Sequence, residues 1–236
     1  MSNAIAAISK TISERRPLPD LCCDTLEDGY RMQKAVTASI NDNLAKDLKA
    51  GVTNAAMQQQ LGLSAPLLGT LYQRGKLASG CAVAVVKGQQ LEFEIGVMVD
   101  DQGQPTHLVP TVEVVYLAFE DPSDFSIANV VAANLGADRH IIGNAIPWQE
   151  TLSDIVITVY RDGQEIATAR NEYSFGTPAD GVRWMVNEAR QRGLWPSADQ
   201  RLLMLGTCGQ AIDAEAGDYR VKFEKLGEVN FTVTEQ

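Results

Sequence analysis

An alternating run from Leu91 to Val99 constrains the fold of this chain most strongly. Apolar side chains occupy residues 91, 93, 95, 97 and 99. A period of two over this length is typical of a β-strand with one buried face. Glu92 and Glu94 share the other face, about 7 Å apart at Cα, because a strand rises about 3.3 Å per residue. The run therefore predicts a strand that carries two neighbouring carboxylates.

The residues alone leave two interpretations of this carboxylate pair. Both glutamates are solvated if the strand lies at the surface, and this pattern is common there. On a partly buried face the two charges repel each other, and a hard cation such as Mg²⁺ relieves that repulsion. Glu113 lies in another apolar stretch, where an unpaired carboxylate is costly unless its strand is an edge facing water. Spacing alone does not bring Glu113 to the pair.

The net charge and the cysteines indicate which binding partners and which cellular compartment to expect for this protein. The 236 residues include 30 Asp+Glu against 20 Lys+Arg, a net charge of −10, which argues against nucleic acid and anionic membranes. We see neither a membrane-spanning apolar run nor a secretory signal. The adjacent Cys22 and Cys23 fit no zinc or redox spacing and favour reduced thiols. We expect a cytoplasmic protein whose metal, with only two histidines available, is bound mainly by oxygen.

Helix signals precede residue 76 and strand signals follow it. The sequence predicts helices at 4–15, from Asp24 or Thr25 to about Leu44, and near 54–61. A further helix starts at Pro178 and stops at Gly193. The predicted strands are 81–86, 91–99, 112–118, 155–161, 165–170, 200–205, 219–223 and 228–233. Many strands with few helices between them predict an α+β fold, with a helical region at 1–75 and a β-rich region at 76–236.

Two glycine-containing turns carry further candidate residues. Lys49 precedes Gly51 and a predicted helix, where an ammonium and a helix N-terminus can meet an anion. An ordinary surface lysine is the alternative. Gly206 and Gly209 follow a strand, where a missing side chain lets the backbone approach a ligand. A plain tight turn is the alternative there.

Several motifs occur in a fixed order along nearly the whole chain. They are Tyr30-x-x-Gln33, residues 48–53, residues 57–62, Gly69-Thr70-Leu71, residues 91–95, residues 112–115, Asn134 and Gly217-Asp218. In this order the chain resembles the bacterial 2-keto-4-pentenoate hydratases and the related 4-oxalocrotonate decarboxylases, of the fumarylacetoacetate hydrolase superfamily. The resemblance implies a distorted mixed β-roll behind an N-terminal helical region.

The resemblance also implies a site and an activity. Glu92, Glu94 and Glu113 match the family's three ligands for Mg²⁺ or Mn²⁺, and Lys49 matches its active-site lysine. In the family a 2-oxo acid chelates the metal, which stabilises an enolate while water adds or CO₂ leaves. The implied activity is that of a hydro-lyase for a small 2-oxo acid or 2-hydroxydienoate in aromatic meta-cleavage catabolism. A decarboxylase and a C–C hydrolase of the same superfamily are the enzymatic alternatives.

The resemblance further implies a homo-oligomer, at least a dimer, with a decarboxylase-type partner subunit as an alternative. The predicted strand at 112–118 adds an apolar edge that needs covering. Gly206 and Gly209 are candidate substrate-binding positions within this picture.

The sequence departs from the family pattern at several positions. Leu67 stands where family hydratases carry an acidic residue, and a leucine cannot transfer protons. Leu91 and Leu205 replace an arginine and a threonine of the pattern. A short segment between Glu94 and Glu113 predicts a more open site. These departures motivate a further alternative, a catalytically silent homologue that serves as a binding or assembly subunit.

Overall fold

Two β-sheets and five helices form the part of the chain that the structure, a computed structural model, describes: residues 2–41, 47–150, 154–173, 175–195 and 197–236. The helices are α1 (Ser2–Ser13), α2 (Leu26–Asn41), α3 (Ala55–Gln60), α4 (Ile127–Ala132) and α5 (Pro178–Gln191). The strands are β1 (Asp47–Gly51), β2 (Leu67–Leu71), β3 (Lys76–Ala78), β4 (Cys81–Val85), β5 (Gln90–Asp100), β6 (Pro105–Val115), β7 (Ala137–Ile142), β8 (Ile146–Pro147), β9 (Val156–Arg161), β10 (Gln164–Arg170), β11 (Gln200–Thr207), β12 (Ile212–Asp213), β13 (Gly217–Phe223) and β14 (Gly227–Glu235).

The larger sheet is mixed and curls on itself. Its strand order is β2-β1-β11-β5-β6-β7-β3, with β12 beside β5 and β8 beside β6. The β1–β11 and β3–β7 pairs are parallel, and the other pairs are antiparallel. Strand β2 also contacts β7 near the opposite edge, which bends the sheet into a roll. The smaller sheet has the order β10-β9-β13-β14-β4. The predicted α+β fold with a mixed β-roll is confirmed.

Strand β5 has two buried faces. The predicted alternation is confirmed, since the five alternating apolar residues from Leu91 to Val99 are at most 1% exposed and pack in one cluster with Val159 and Val221 of the smaller sheet. The opposite face points into the roll and carries Glu92 and Glu94. Next to these carboxylates an apolar cluster occupies the interior of the roll: Leu71, Leu202, Met204, Met98 and Ile142. The carboxylates thus lie between water and an apolar interior.

Local signals predicted several element ends correctly. At the start of α2 the side chain of Asp28 accepts a hydrogen bond from the N–H of Thr25, and the side chain of Thr25 accepts one from the N–H of Asp28. Thr177 and Asp180 form the same kind of capping box at the start of α5. At the β9–β10 hairpin Asp162 and Gly163 both have positive φ, as a type I′ turn requires. The predicted end of α2 near Leu44 lies outside the described residues.

The first 75 residues also contribute two strands to the larger sheet. Strands β1 and β2 are almost wholly buried on both faces, so they lack the alternation that reveals a half-buried strand. Sequence reasoning missed both for this reason. The division of the chain at residue 75 stays a prediction. Among the described residues, none of the helices has the length and apolar character that a membrane span requires.

The apolar edge predicted at Val112–Ala118 is wrong. Strand β6 ends at Val115 and pairs with β5 on one side and β7 on the other. Its apolar residues need no second subunit to cover them. The sequence argument for an oligomer therefore loses this support.

Candidate metal centre

Three glutamates come together on the neighbouring strands β5 and β6. Glu92 on β5 lies directly opposite Glu113 on β6, and Glu94 is the next residue on the same face of β5. Each of the three offers a carboxylate oxygen within 4.8 Å of the other two. Glu94 and Glu113 are fully buried and Glu92 is half-buried. The surface interpretation is therefore wrong for two of the three, and the more open site stays a prediction.

Burial makes this cluster electrostatically unfavourable on its own. Burial raises the pKa of Glu113 to about 7, although the Lys49 ammonium opposes the shift. Burial and the charges of Glu113 and Glu92 raise the pKa of Glu94 well above its usual value. One oxygen of each buried carboxylate, Oε1, has no hydrogen-bond partner among the described residues. Buried carboxylate oxygens without partners, in a group of three glutamates within 4.8 Å of one another, fit a hard divalent cation, which prefers oxygen ligands.

Lys49 supplies a positive charge at this cluster. Its Nζ lies 2.6 Å from Glu113 Oε2 and donates to the carbonyl oxygen of Leu135 at 3.3 Å. The side chain is 2% exposed. Burial alone would lower the pKa of Lys49, but the three carboxylates outweigh it and the pKa is raised. Lys49 is therefore an ammonium at neutral pH.

The predicted setting of Lys49 is wrong, while its place at the carboxylates agrees with the resemblance. Lys49 lies inside β1 and not in a turn, and α3 begins six residues later with Asn54 as its cap. The surface alternative is excluded because the residue is buried. The buried strand brings the lysine to Glu113, and no helix N-terminus takes part.

The two candidate glycines occupy different surroundings. The N–H of Gly206 donates to Glu94 Oε2 at 2.8 Å, so Gly206 reaches the carboxylate cluster. Its φ is +95°, and a Cβ there would lie 2.4 Å from the hydroxyl oxygen of Thr53. Gly209 packs instead against β10, where a Cβ would lie 2.6 Å from that of Ala169. Substrate binding by either glycine stays a prediction.

Comparisons with known proteins identify relatives of this chain. The 2-keto-4-pentenoate hydratase of Paraburkholderia xenovorans (strain LB400) is 25% identical over 223 residues, which cover 86% of this chain and 81% of that protein. A 4-oxalocrotonate decarboxylase of Pseudomonas putida is 24% identical over 224 residues, with 87% and 84% covered. No family model matches the chain.

The chain is similar to the 2-keto-4-pentenoate hydratases and 4-oxalocrotonate decarboxylases, as a divergent relative of both. Its fold agrees with the crystal structure of 4-oxalocrotonate decarboxylase from Pseudomonas putida G7 in complex with magnesium and adipate. The TM-score is 0.85 at 21% identity, and the match covers 99% of this chain and 98% of that one. The resemblance predicted from the motifs is confirmed.

Leu67 marks the clearest departure of this chain from the family hydratases. It begins β2, is 1% exposed, and pairs in register with Gly51 of β1. Register partners share a sheet face, so Leu67 lies on the face that also carries Lys49 and Gly69. A buried apolar side chain thus stands two residues from Gly69, the strand partner of Lys49.

Sequence reasoning missed a buried histidine of the site. His140 on β7 is the register partner of Glu113, so Glu92, Glu113 and His140 form one row across three strands. Neither ring nitrogen has a hydrogen-bond partner in the described part of the chain. Burial lowers the pKa of His140 to about 4 and keeps it neutral. Only the pairing of β6 with β7 could have revealed it.

Proposed function

We propose that this chain is a metal-dependent hydro-lyase that adds water to a small 2-hydroxydienoate or acts on the corresponding 2-oxo acid. Glu92, Glu94 and Glu113 would hold Mg²⁺ or Mn²⁺. The observation that carries the proposal is the convergence of these three carboxylates, within 4.8 Å, around a buried ammonium 2.6 Å from one of them. Relatives named for 2-keto-4-pentenoate hydration support the choice of substrate class.

The bound metal ion would supply Lewis-acid stabilisation of negative charge that develops on an oxygen of the substrate. The protein contributes three carboxylates that fix the ion and a half-exposed Glu92 at the side open to water. Gly206 holds one oxygen of Glu94 through its N–H group. That hydrogen bond fixes the orientation of one ligand before any ion arrives.

Lys49 places a permanent positive charge beside this centre. An ammonium has three donors, and two of them serve Glu113 and the carbonyl of Leu135. The third donor is available to an oxygen of the substrate. A fixed ammonium in a water-poor site stabilises an enolate oxygen more than it stabilises the neutral ground state. Lys49 also holds a proton at Nζ, whereas Leu67 holds none.

Decarboxylation is the second candidate, and Leu67 favours it. When a 2-oxo acid loses a second carboxylate that is β or vinylogous to its keto group, the electron pair of the broken C–C bond passes to the keto oxygen as an enolate. That enolate needs electrostatic stabilisation and then a proton at carbon, but no acid at Leu67 to handle water. The magnesium complex with the TM-score of 0.85 is a 4-oxalocrotonate decarboxylase. C–C hydrolysis needs a base to activate water, and we nominate none.

A substrate panel tests the proposal. Protein loaded with Mn²⁺ is assayed with 2-oxo acids and 2-hydroxydienoates, and the products are separated into hydrated acids and CO₂. Lys49→Met should abolish turnover but keep metal binding, and the exposed Glu120→Gln is the matched control. Intact metal binding without turnover of any compound would refute both activities and favour the silent subunit.

We also propose a cytoplasmic location and a homo-oligomer of at least two chains, with a decarboxylase-type partner subunit as the alternative. All four cysteines are free in the structure, which agrees with a reducing compartment. Sedimentation at micromolar concentration tests the oligomer, and a monomeric mass would refute it.

A further inference from the structure

A backbone turn with an uncommon conformation packs against Lys49. Residues 134–136 form one turn of 3₁₀-helix, in which Asn134, Leu135 and Gly136 have φ values of +55°, +54° and +69°. L-amino acids other than glycine avoid this left-handed region, and leucine avoids it more than asparagine. Two consecutive non-glycine residues remain there only where their surroundings hold them, and such segments cluster at functional sites.

The side chain of Asn134 holds the turn on strand β2. It is fully buried. Its Oδ1 accepts from the backbone N–H of Thr70 at 2.8 Å, and its Nδ2 donates to the carbonyl oxygen of the same residue at 2.6 Å. The amide thus satisfies both backbone groups of Thr70, as a neighbouring strand would. This pair of hydrogen bonds opposes relaxation of the turn.

Two glycines beside Lys49 make room for the turn. Gly69 is the register partner of Lys49, and Gly51 lies two residues after it on the same strand. A Cβ at Gly51 would lie 2.9 Å from Cδ1 of Leu135. A Cβ at Gly69 would lie 2.9 Å from Cγ of Lys49 and 3.2 Å from the same Leu135 atom. The Leu135 side chain therefore packs over Gly51 and Gly69, next to the aliphatic part of the Lys49 side chain.

The carbonyl group of the turn completes the arrangement. Leu135 O accepts from Lys49 Nζ at 3.3 Å, while Glu113 Oε2 lies 2.6 Å from the same nitrogen. A lysine side chain has four rotatable bonds, so a fixed stem and a fixed acceptor remove most of its freedom. We infer that Gly51, Gly69, Asn134 and Leu135 form a lysine clamp that aims Lys49 at the metal centre, with Asn134 as its positioning residue. The catalytic consequence rests on the proposed function.

Asn134→Gly is the first variant, because glycine keeps the left-handed backbone and removes both amide hydrogen bonds. The three carboxylates are untouched, so Mn²⁺ affinity by calorimetry should stay unchanged. The affinity of the Mn²⁺-loaded protein for oxalate, a flat dianion like an enolate, should fall, and kcat should fall by about 10- to 100-fold. Asn129→Ala is the matched control, since Asn129 is a buried asparagine bonded to Asp20 and Asp124, away from the cluster.

A double-mutant cycle shows whether Asn134 acts through Lys49. In a Lys49→Met background, Asn134→Gly should cause no further loss of oxalate affinity, because the group that the clamp aims is gone. Losses that add independently in the double variant would overturn the proposal. If Asn134→Gly does not fold, Gly69→Ala serves in its place, since its methyl group meets the lysine stem directly.

A spectroscopic measurement separates the clamp from the proposed activity. A buried, hydrogen-bonded ammonium exchanges slowly and gives a protected ¹⁵Nζ signal in metal-free, ¹⁵N-labelled protein, assigned by its loss in Lys49→Arg. The signal should persist in Asn129→Ala and disappear in Asn134→Gly. An inactive wild type that shows this pattern refutes the proposed function and supports the clamp. An unchanged signal in Asn134→Gly refutes the clamp, whatever the activity.

Discussion

Lowering the pH should weaken Mn²⁺ binding because the metal must displace protons from buried carboxylates. Burial raises the pKa of Glu113 to about 7, and burial with its carboxylate neighbours raises that of Glu94 well above the usual value. At pH 5.5 a group with a pKa near 7 is more than about 95% protonated. Each displaced proton then costs about 1.4 kcal/mol per pH unit, or about tenfold in affinity.

From pH 7 to pH 5.5 we therefore expect a loss of about 10- to 30-fold in affinity for one displaced proton, and more if Glu94 also holds one. Titration calorimetry in two buffers of different ionisation enthalpy counts the released protons. Between one and two should be released at pH 5.5. Glu94→Gln should release fewer protons than the wild type, and the exposed control Glu120→Gln should match the wild type. An affinity independent of pH, without proton release, would refute the reasoning.

The raised pKa of Glu113 also makes the stability of the metal-free protein depend on pH. Between the ordinary glutamate value of 4.5 and about 7, the folded chain binds more protons at Glu113 than the unfolded chain does. The free energy of unfolding of the metal-free protein should therefore fall as the pH rises through this window, and Glu113 alone should account for on the order of 3 kcal/mol of the fall. Saturating Mn²⁺ should remove the slope, since the ion replaces the protons. Urea unfolding at pH 5 and pH 7.5, with and without Mn²⁺, measures both effects.

Three further substitutions test other features. Glu94→Gln should weaken Mn²⁺ binding, because it removes one of three candidate ligand carboxylates, and it should raise the midpoint of thermal unfolding of the metal-free protein at alkaline pH, where an ionised Glu94 would repel its neighbours; calorimetry measures both, and equal affinity in the two proteins would remove Glu94 from the ligand set. Leu67→Asp should raise hydratase turnover if a missing acid limits the rate, within the range of about 10² to 10⁴-fold that acid–base catalysis supplies; fast wild-type turnover that the change leaves constant or lowers would indicate another proton route. Thr177→Ala should cost about 1 kcal/mol in urea unfolding, because it removes the α5 capping box; an unchanged midpoint would show that the cap contributes nothing.

Features encoded in adjacent residues could be predicted from the sequence. Alternation revealed β5, and Pro178 revealed the start of α5. Strands β1 and β2 carry no such signal, because burial of both faces removes the alternation. The sequence pattern of a strand therefore predicts it well when one face is buried and poorly when both faces are buried.

The geometry of the site depends on contacts between distant residues, which a single sequence does not specify. Glu92 meets Glu113 through the register of β5 with β6, and the spacing of the two glutamates does not contain that register. The acceptor that fixes Lys49 lies 86 residues further along the chain. The order of the motifs suggested the three candidate ligands through resemblance alone. His140 is absent from that order, and Asn134 appears in it without a role.

The double burial of β5 connects the stability of the fold to the chemistry of the site. Its apolar face is fully buried against the smaller sheet, at about 25 cal/mol per Å² of apolar surface removed from water. That contribution lets the opposite face hold Glu94 and its partner Glu113 away from water, an arrangement that is unfavourable by itself. A strand with one solvated face would leave the same carboxylates hydrated, with ordinary pKa values and little need for a cation. The burial that removes Glu94 and Glu113 from water therefore also favours the binding of a cation between their carboxylates.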